Sequence, residues 1–247
     1  MNWRLIGPEK HDAFMNLALE EACISSVKSG KVLPTIRFYE WKNSSVVVGY
    51  FQKILDELDI SACEKNKIDV TRRITGGGAM YLDTVGEVTF SVIAPASMLP
   101  GINESYREVC GWLVNGLKNI GLSAEFRPIN DVIINEKKIS GSAMTRRGNV
   151  VMLHGTLLHK VDPDRMFKFL TPSGKKLSDK QIKNIKEYVT AVSHHSEISK
   201  KELVDEIIYA FIRGKNIEES DWTRTELKTA TALVDNKYKT KEWVFRR

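Results

Sequence analysis

Between positions 12 and 29 the apolar residues Phe14, Leu17, Ala18, Ala22 and Ile24 recur at helical spacing, which predicts an amphipathic helix ended by Gly30. The period then changes. Ile36-Arg37-Phe38-Tyr39 and Ser45-Val46-Val47-Val48-Gly49-Tyr50 are β-rich runs separated by the polar turn Lys42-Asn43-Ser44, so two strands are expected. A short helix is expected after Asp59. Residues 87 to 94 predict a strand stopped by Pro95, and residues 103 to 120 a helix stopped by Gly121. Two hairpins follow. Asp131 to Ile134 and Lys138 to Ala143 flank Asn135-Glu136, and Arg147-Gly148-Asn149 turns the chain into Val150 to Leu158. From about residue 162 the pattern is helical and carries two capping boxes, Ser199 with Glu202 and Thr223 with Glu226. The whole predicts an α/β (α+β) fold, a mixed β-sheet core flanked by helices. It forms a single domain over residues 1–247 with a helical C-terminal third (about 162–247).

Composition narrows the classes of function. Three widely spaced cysteines (Cys23, Cys63, Cys110) offer neither a disulfide framework nor a C-x-x-C metal site, and point to a reducing, cytoplasmic location. The N-terminus lacks the apolar core of a signal peptide, and runs such as Val46-Val47-Val48 are far too short to span a membrane. Lysine and arginine number 37 against 31 acids, a net charge of +6, but the two signs are interleaved and no run of like charge reads as a phosphate-binding arm. Nucleic acid is therefore not the expected partner. The densest basic stretch runs from Lys160 to Lys186. It is either a solvated helical face or a docking surface for an acidic macromolecule.

The segment richest in chemistry is Arg72-Arg73-Ile74-Thr75-Gly76-Gly77-Gly78-Ala79-Met80-Tyr81. Three glycines between a short β-like run and an apolar one would weaken either element, so a bare backbone is needed there. Converging amides bind anions, and adjacent arginines can grip the same oxygens. It matches neither G-x-x-x-x-G-K-[ST] nor G-x-G-x-x-G; a glycine-rich turn beside a surface arginine pair is the plainer alternative. Asn130-Asp131 through Lys137-Lys138-Ile139-Ser140-Gly141-Ser142-Ala143 puts an acid and a lysine on neighbouring hairpin strands, where they can face one site. That lysine would meet a phosphate or oxyanion, and Asp131 could hold Mg²⁺ or a ribose hydroxyl. His154-Gly155-Thr156 lies in a β-like run, where a histidine with a purely structural role is the alternative; His194-His195 has no neighbouring third ligand for zinc.

In this order, these segments closely resemble the lipoate-protein ligase A family, within the wider group of biotin and lipoate protein ligases. The resemblance rests on Arg72 to Tyr81, on Asn130 to Ala143 and on His154 to Leu158. Weaker matches are Met15 to Ala22, Arg37-Phe38-Tyr39 with Val47 to Gln52, and Lys237-Tyr238 with Glu242-Trp243. Leu82 stands where the family usually has histidine. The resemblance implies the biotin/lipoate protein ligase catalytic-domain fold. It also implies ATP-dependent conversion of lipoate to lipoyl-AMP, then transfer of the lipoyl group to one lysine of a lipoyl acceptor domain, an E2 subunit or the glycine cleavage H protein. It makes Lys138 the catalytic residue and assigns ATP and lipoyl-adenylate binding to Arg72, Arg73, Gly76, Gly77, Gly78, Ala79, Met80, Tyr81, Asp131 and Lys138. It assigns the lipoate pocket to Gly76, Gly77, His154, Gly155 and Thr156, with Asp131 as the Mg²⁺ ligand. Single-chain members carry a C-terminal accessory domain, and two-subunit members supply it separately, so a small accessory subunit is an expected partner.

Two rivals compete. A cysteine-dependent octanoyltransferase of the same fold needs a thiolate, and the places where that group carries it read Thr171-Pro172-Ser173-Gly174 and Phe126-Arg127-Pro128-Ile129 here. A non-enzymatic basic nucleic-acid-binding module would leave the glycine triplet unexplained.

Overall fold

The computed structural model describes residues 2–171 and 187–247. In chain order the strands are β1 (Asn2–His11), β2 (Thr35–Trp41), β3 (Ser45–Val48), β4 (Asp69–Arg72), β5 (Met80–Leu82), β6 (Glu87–Pro95), β7 (Glu125–Arg127), β8 (Asp131–Ile134), β9 (Lys137–Arg147), β10 (Val150–Leu158) and β11 (Asn216–Glu219). The helices are α1 (Ala13–Lys28), α2 (Ile54–Glu57), α3 (Ile60–Lys65), α4 (Ile102–Asn119), α5 (Pro163–Phe169), α6 (Lys200–Ile212), α7 (Arg224–Leu233) and α8 (Lys241–Val244).

Eight strands form a mixed sheet in the order β11-β1-β2-β6-β10-β9-β8-β7, and three form a small sheet in the order β4-β3-β5. The large sheet is parallel where β1 meets β2 and β11, and antiparallel from β2 onward. Alternation along β6 explains its two coats. Val88, Phe90, Val92 and Ala94 pack with Val109, Leu113 and Leu117 of α4 and with Leu203, Ile207 and Phe211 of α6. Ile93 joins Leu17, Leu19 and Cys23 of α1 on the other face, with Ala230 of α7 behind them. A third core, beneath the small sheet, gathers Val46, Val48, Ile54, Cys63 and Phe169.

Both predicted capping boxes are present, each serine or threonine hydroxyl accepting the N3 amide while the N3 glutamate returns to the cap. Asp12 caps α1 and Asp59 caps α3. The turn Lys42-Asn43-Ser44 carries the chain from the large sheet into the small one, so β2 and β3 are not partners. Strands β1, β7 and β11 add to what the hydrophobic period predicts; β11 puts an extended segment inside the C-terminal third. No helix among the described residues is long and apolar enough to cross a membrane. Of the basic stretch, Lys175, Lys176, Lys180, Lys183 and Lys186 lie outside the described residues, as do Pro172, Ser173 and Gly174.

Candidate active site

Strand β4 delivers Arg72 and Arg73 to the start of the glycine loop, and β5 leaves it. The alternating strand geometry sends the two guanidinium groups in different directions. Arg73 turns into the loop and donates to the carbonyls of Gly76 (2.8 Å), Gly78 (2.7 Å) and Val47 (3.1 Å). In a trans peptide the carbonyl and the following N–H point opposite ways, so this grip turns the Gly77 and Ala79 amides away from the arginine. The loop is built for close approach. A Cβ on Gly49 would stand 2.0 Å from the Gly77 carbonyl oxygen, and Gly77 itself has φ +96°. Burial holds the Arg73 guanidinium down at about 10, opposed by the charge of Glu20.

Arg72 stands apart from the expected pair. Its side chain is fully buried and donates to the carbonyls of Gly49 (2.8 Å), Gln52 (2.8 Å) and Val244 (2.9 Å), while the Trp243 indole donates to the Arg72 carbonyl at 2.8 Å. It fastens the stem of the loop to α8 and does not line the cavity.

The second wall is the β8–β9 hairpin. Val132 pairs with Ser140 but Ile133 pairs with Lys138, so Ile139 is an extra residue on β9. Such a bulge re-aims the side chains beyond it. Lys138 and Gly141 would face opposite ways along a regular strand, yet here the Lys138 side chain lies over Gly141, with Cε and Nζ each 2.8 Å from where a Cβ would stand. The Lys138 ammonium reaches Asp131 Oδ1 at 2.6 Å. Asn130 donates to the Ser142 carbonyl and fixes the hairpin's approach to the cavity.

Between these walls lies a cavity of about 350 Å³, in the range of sites that take small organic ligands. Leu17, Tyr39, Trp41, Val47 and Leu158 give it an apolar lining; Arg73, Gly77, Gly78, Asn130 and Lys138 are polar or bare backbone. The floor is a buried polar chain. Glu20 accepts from Tyr39 Oη (2.9 Å) and His154 Nδ1 (3.0 Å), and His154 Nε2 pairs with Thr75 Oγ1 at 2.8 Å. Burial works to raise the Glu20 carboxyl, but His154, Arg37 and Tyr39 together hold it below the usual carboxylate range. Gly155 is required where it sits, because a Cβ there would stand 2.6 Å from both Phe90 and Ser142 Oγ.

Gly77, Gly78, Ala79, Met80, Tyr81, Lys138, His154, Gly155 and Thr156 therefore line one cavity, with Asp131 behind Lys138 and Gly76 on the loop beside exposed Phe51. Sequence reasoning did not single out Glu20, Tyr39 or Trp41 as site residues. Glu20 left a signal, an acid amid the buried, mostly apolar residues of α1. All three cysteines are buried, none lines the cavity, and burial pushes each thiol up to about 11.

The profile of the lipoyl protein ligase A/B catalytic domain matches residues 12–212. The chain belongs to the lipoyl protein ligase A/B family. Among curated relatives in this family, octanoyltransferase LipM of Brevibacillus brevis is 30% identical, with 99% of each chain covered. Among solved structures, the bi-partite lipoate protein ligase of Thermoplasma acidophilum, described with its E2 lipoyl domain, is 34% identical with a TM-score of 0.88, covering 99% of this chain and 96% of that one. A second Thermoplasma acidophilum structure, with bound lipoic acid, is 30% identical over the full length of both chains with a TM-score of 0.84. A lipoate-protein ligase A bound with ATP is 30% identical with a TM-score of 0.83 and 99% of each chain covered. The fold is thus the catalytic fold of the lipoate-protein ligases, and the chain is an enzyme of the lipoate ligase and octanoyltransferase family.

Proposed function

We propose that this chain is the catalytic subunit of an ATP-dependent lipoate-protein ligase. It would join the carboxylate of lipoate, or of a related medium-chain acid, to AMP, and then pass the acyl group to a lysine of a lipoyl domain. The observation that carries the reading is a cavity whose lining joins apolar side chains to Lys138 and to the glycine backbone at Gly77 and Gly78, with no thiol among them. In the first step the carboxylate oxygen attacks the α-phosphorus of ATP and pyrophosphate leaves. Negative charge on the phosphoryl oxygens meets the Lys138 ammonium and the outward Gly77 and Ala79 amides. In the second step the acceptor amine attacks the acyl carbonyl, AMP departs, and Lys138 stays beside the shared oxygen.

Asp131, whose Oδ1 meets the Lys138 ammonium, is the carboxylate we assign to Mg²⁺, and among the described residues no cluster of three or more acidic, histidine or cysteine side chains could hold the metal alone. One carboxylate suffices when substrate phosphates supply further ligands, and there the ion would neutralise the nucleotide's charge.

The names of the curated relatives favour a second reading, octanoyl transfer from a carrier protein without ATP. That chemistry needs an accessible thiolate, and Cys110, 3.8 Å from Ser142 Oγ, is fully buried and protonated. Intact-mass measurement of a lipoyl domain, an E2 domain or the glycine cleavage H protein, after incubation with the chain, lipoate, ATP and Mg²⁺, separates the two. Lipoylation that disappears without ATP is expected; octanoylation from acyl carrier protein in the absence of ATP would overturn the ligase reading. We place the reaction in the cytoplasm, and the bi-partite Thermoplasma ligase supports a separate accessory protein as a partner in the first step. Pyrophosphate release that is slow for the chain alone, beside brisk transfer from added lipoyl-AMP, is the expected signature of that need.

A further inference from the structure

We infer that Glu20 is a positioning residue that acts through His154 and Thr75 on the glycine loop; its kinetic consequence rests on the acyl-activating reaction proposed above. Its surroundings make the residue conspicuous. Leu17, Ala18, Leu19, Ala22, Cys23 and Ile24 of α1 are all buried, and Glu20 is only 1% exposed among them. A leucine there would pack without the cost of desolvating a carboxylate, so helix packing does not account for the acid.

The hydrogen bonds give it a task. A carboxylate can only accept, so its contacts to His154 Nδ1 at 3.1 and 3.0 Å place the imidazole proton on that nitrogen. In the neutral ring Nε2 is then left as an acceptor, and the hydroxyl it meets at 2.8 Å is that of Thr75. Thr75 is fully buried and immediately precedes Gly76. Its carbonyl accepts the Tyr50 amide at 2.9 Å, which ties the loop to the strand connection after β3. Arg73 grips the loop by its carbonyls from one side, and Thr75 anchors its first residue from beneath. The glycines contribute no side chains that could hold them, so the amides at Gly77 and Ala79 keep their aim through these two attachments. Glu20 is the far end of the second.

A neutral amide in place of Glu20 keeps the volume but removes the acceptor-only constraint. Its NH₂ can face Nδ1, the imidazole proton moves to Nε2, and the Thr75 hydroxyl proton is turned away from the ring. Three measurements on the full chain test the relay. First, ¹⁵N spectra of the imidazole assigned by its loss in His154→Asn should show the Nδ1–H tautomer in the natural protein and the Nε2–H tautomer in Glu20→Gln. Second, amide exchange over residues 75–79 should rise about tenfold in Glu20→Gln and in Thr75→Val, and return to the natural rate in Thr75→Ser. Third, acyl-adenylate formation, or transfer from preformed adenylate, should lose about tenfold in kcat in the first two variants with little change in KM for the acid, since loop aim matters most in the transition state. An unchanged tautomer, or unchanged exchange in Thr75→Val, overturns the relay. Should Glu20→Gln fail to fold, the Thr75 pair alone decides. The spectra and exchange need no turnover, so a natural protein that fails even to transfer the acyl group from added lipoyl-AMP, but whose Thr75 variants still loosen the loop, would refute the ligase reading and leave the relay standing.

Discussion

At the scale of single residues, the bulge at Ile139 and the missing side chain of Gly141 together let Lys138 fold back over its own strand toward Asp131. The lysine contributes little packing, being a third exposed, so its removal should leave the fold intact while removing the charge that the proposed reaction sets against the developing anion. Lys138→Ala is expected to lower transfer from preformed lipoyl-AMP by about 10²-fold or more with an unchanged melting temperature, and Lys137→Ala to stay within about twofold. Steady-state kinetics on the two variants checks this; the opposite ranking would mean that the exposed neighbour carries the chemistry. The alternating directions of Lys137 and Lys138 were legible from the hairpin spacing. The bulge was not, because no glycine or proline marks it and it exists only as a mismatch with β8. Likewise, adjacency in sequence suggested that Arg72 and Arg73 grip one anion, whereas strand alternation separates them and gives Arg72 to α8.

Among the elements, those with strong local signals read correctly, and those whose reasons are tertiary did not. Helices α1 and α4, both hairpins of β8–β10 and both capping boxes follow from period, turn residues and caps. Strand β11 has the polar sequence Asn-Ile-Glu-Glu and is extended because β1 offers it a parallel edge, a cause absent from its own residues. The box at α7 shows how local and tertiary effects combine. Thr223 caps the helix, but Glu226 also accepts from Arg4 Nη2 and Nη1 at 2.7 and 2.9 Å in a buried pair. Thr223→Ala should cost about 1 kcal/mol, an ordinary capping loss. Glu226→Ala should cost about 3–5 kcal/mol, because it strands a buried guanidinium as well. Urea titrations of both variants measure the gap. Equal losses would reduce Glu226 to a cap.

For the whole molecule, the fold class and the parts of the cavity lining given by the glycine loop, Lys138 and His154 to Thr156 were legible, because the resemblance joined motifs far apart in the chain. The polar floor was not, since Glu20, Thr75 and His154 belong to three segments that nothing local connects. Stability should also carry a pH signature. Glu87 accepts the Asp83 amide with both oxygens, yet burial, reinforced by the Asp83 charge, pushes its carboxyl up to about 8. An unfolded glutamate releases its proton near 4.5, so between that pH and about 8 the folded state holds one proton more. Stability from this group is complete below 4.5 and drains away as the pH rises. Glu87→Gln should flatten the decline, gaining on the natural protein by a few kcal/mol at pH 8 and nothing at pH 4. Melting curves across that range decide, and parallel curves would mean that Glu87 ionises as freely in the fold as outside it.

The bond from Arg72 to Val244 spans 172 positions, and Glu21 is held by Lys237 and Tyr238 across 216 and 217. On a ribosome, a nascent chain that already displays the glycine loop, the lysine hairpin and the polar floor still lacks the clamp on the loop's stem until α8 emerges. Loop closures of that length are slow compared with helix formation. Synthesis therefore imposes an order, in which the stem of the glycine loop is clamped only after α8 has emerged. A polypeptide stalled before residue 241 should retain the α1 and α4 cores and yet leave the loop unfastened, and under the ligase reading proposed above it would be unable to make, and so to spill, a reactive mixed anhydride.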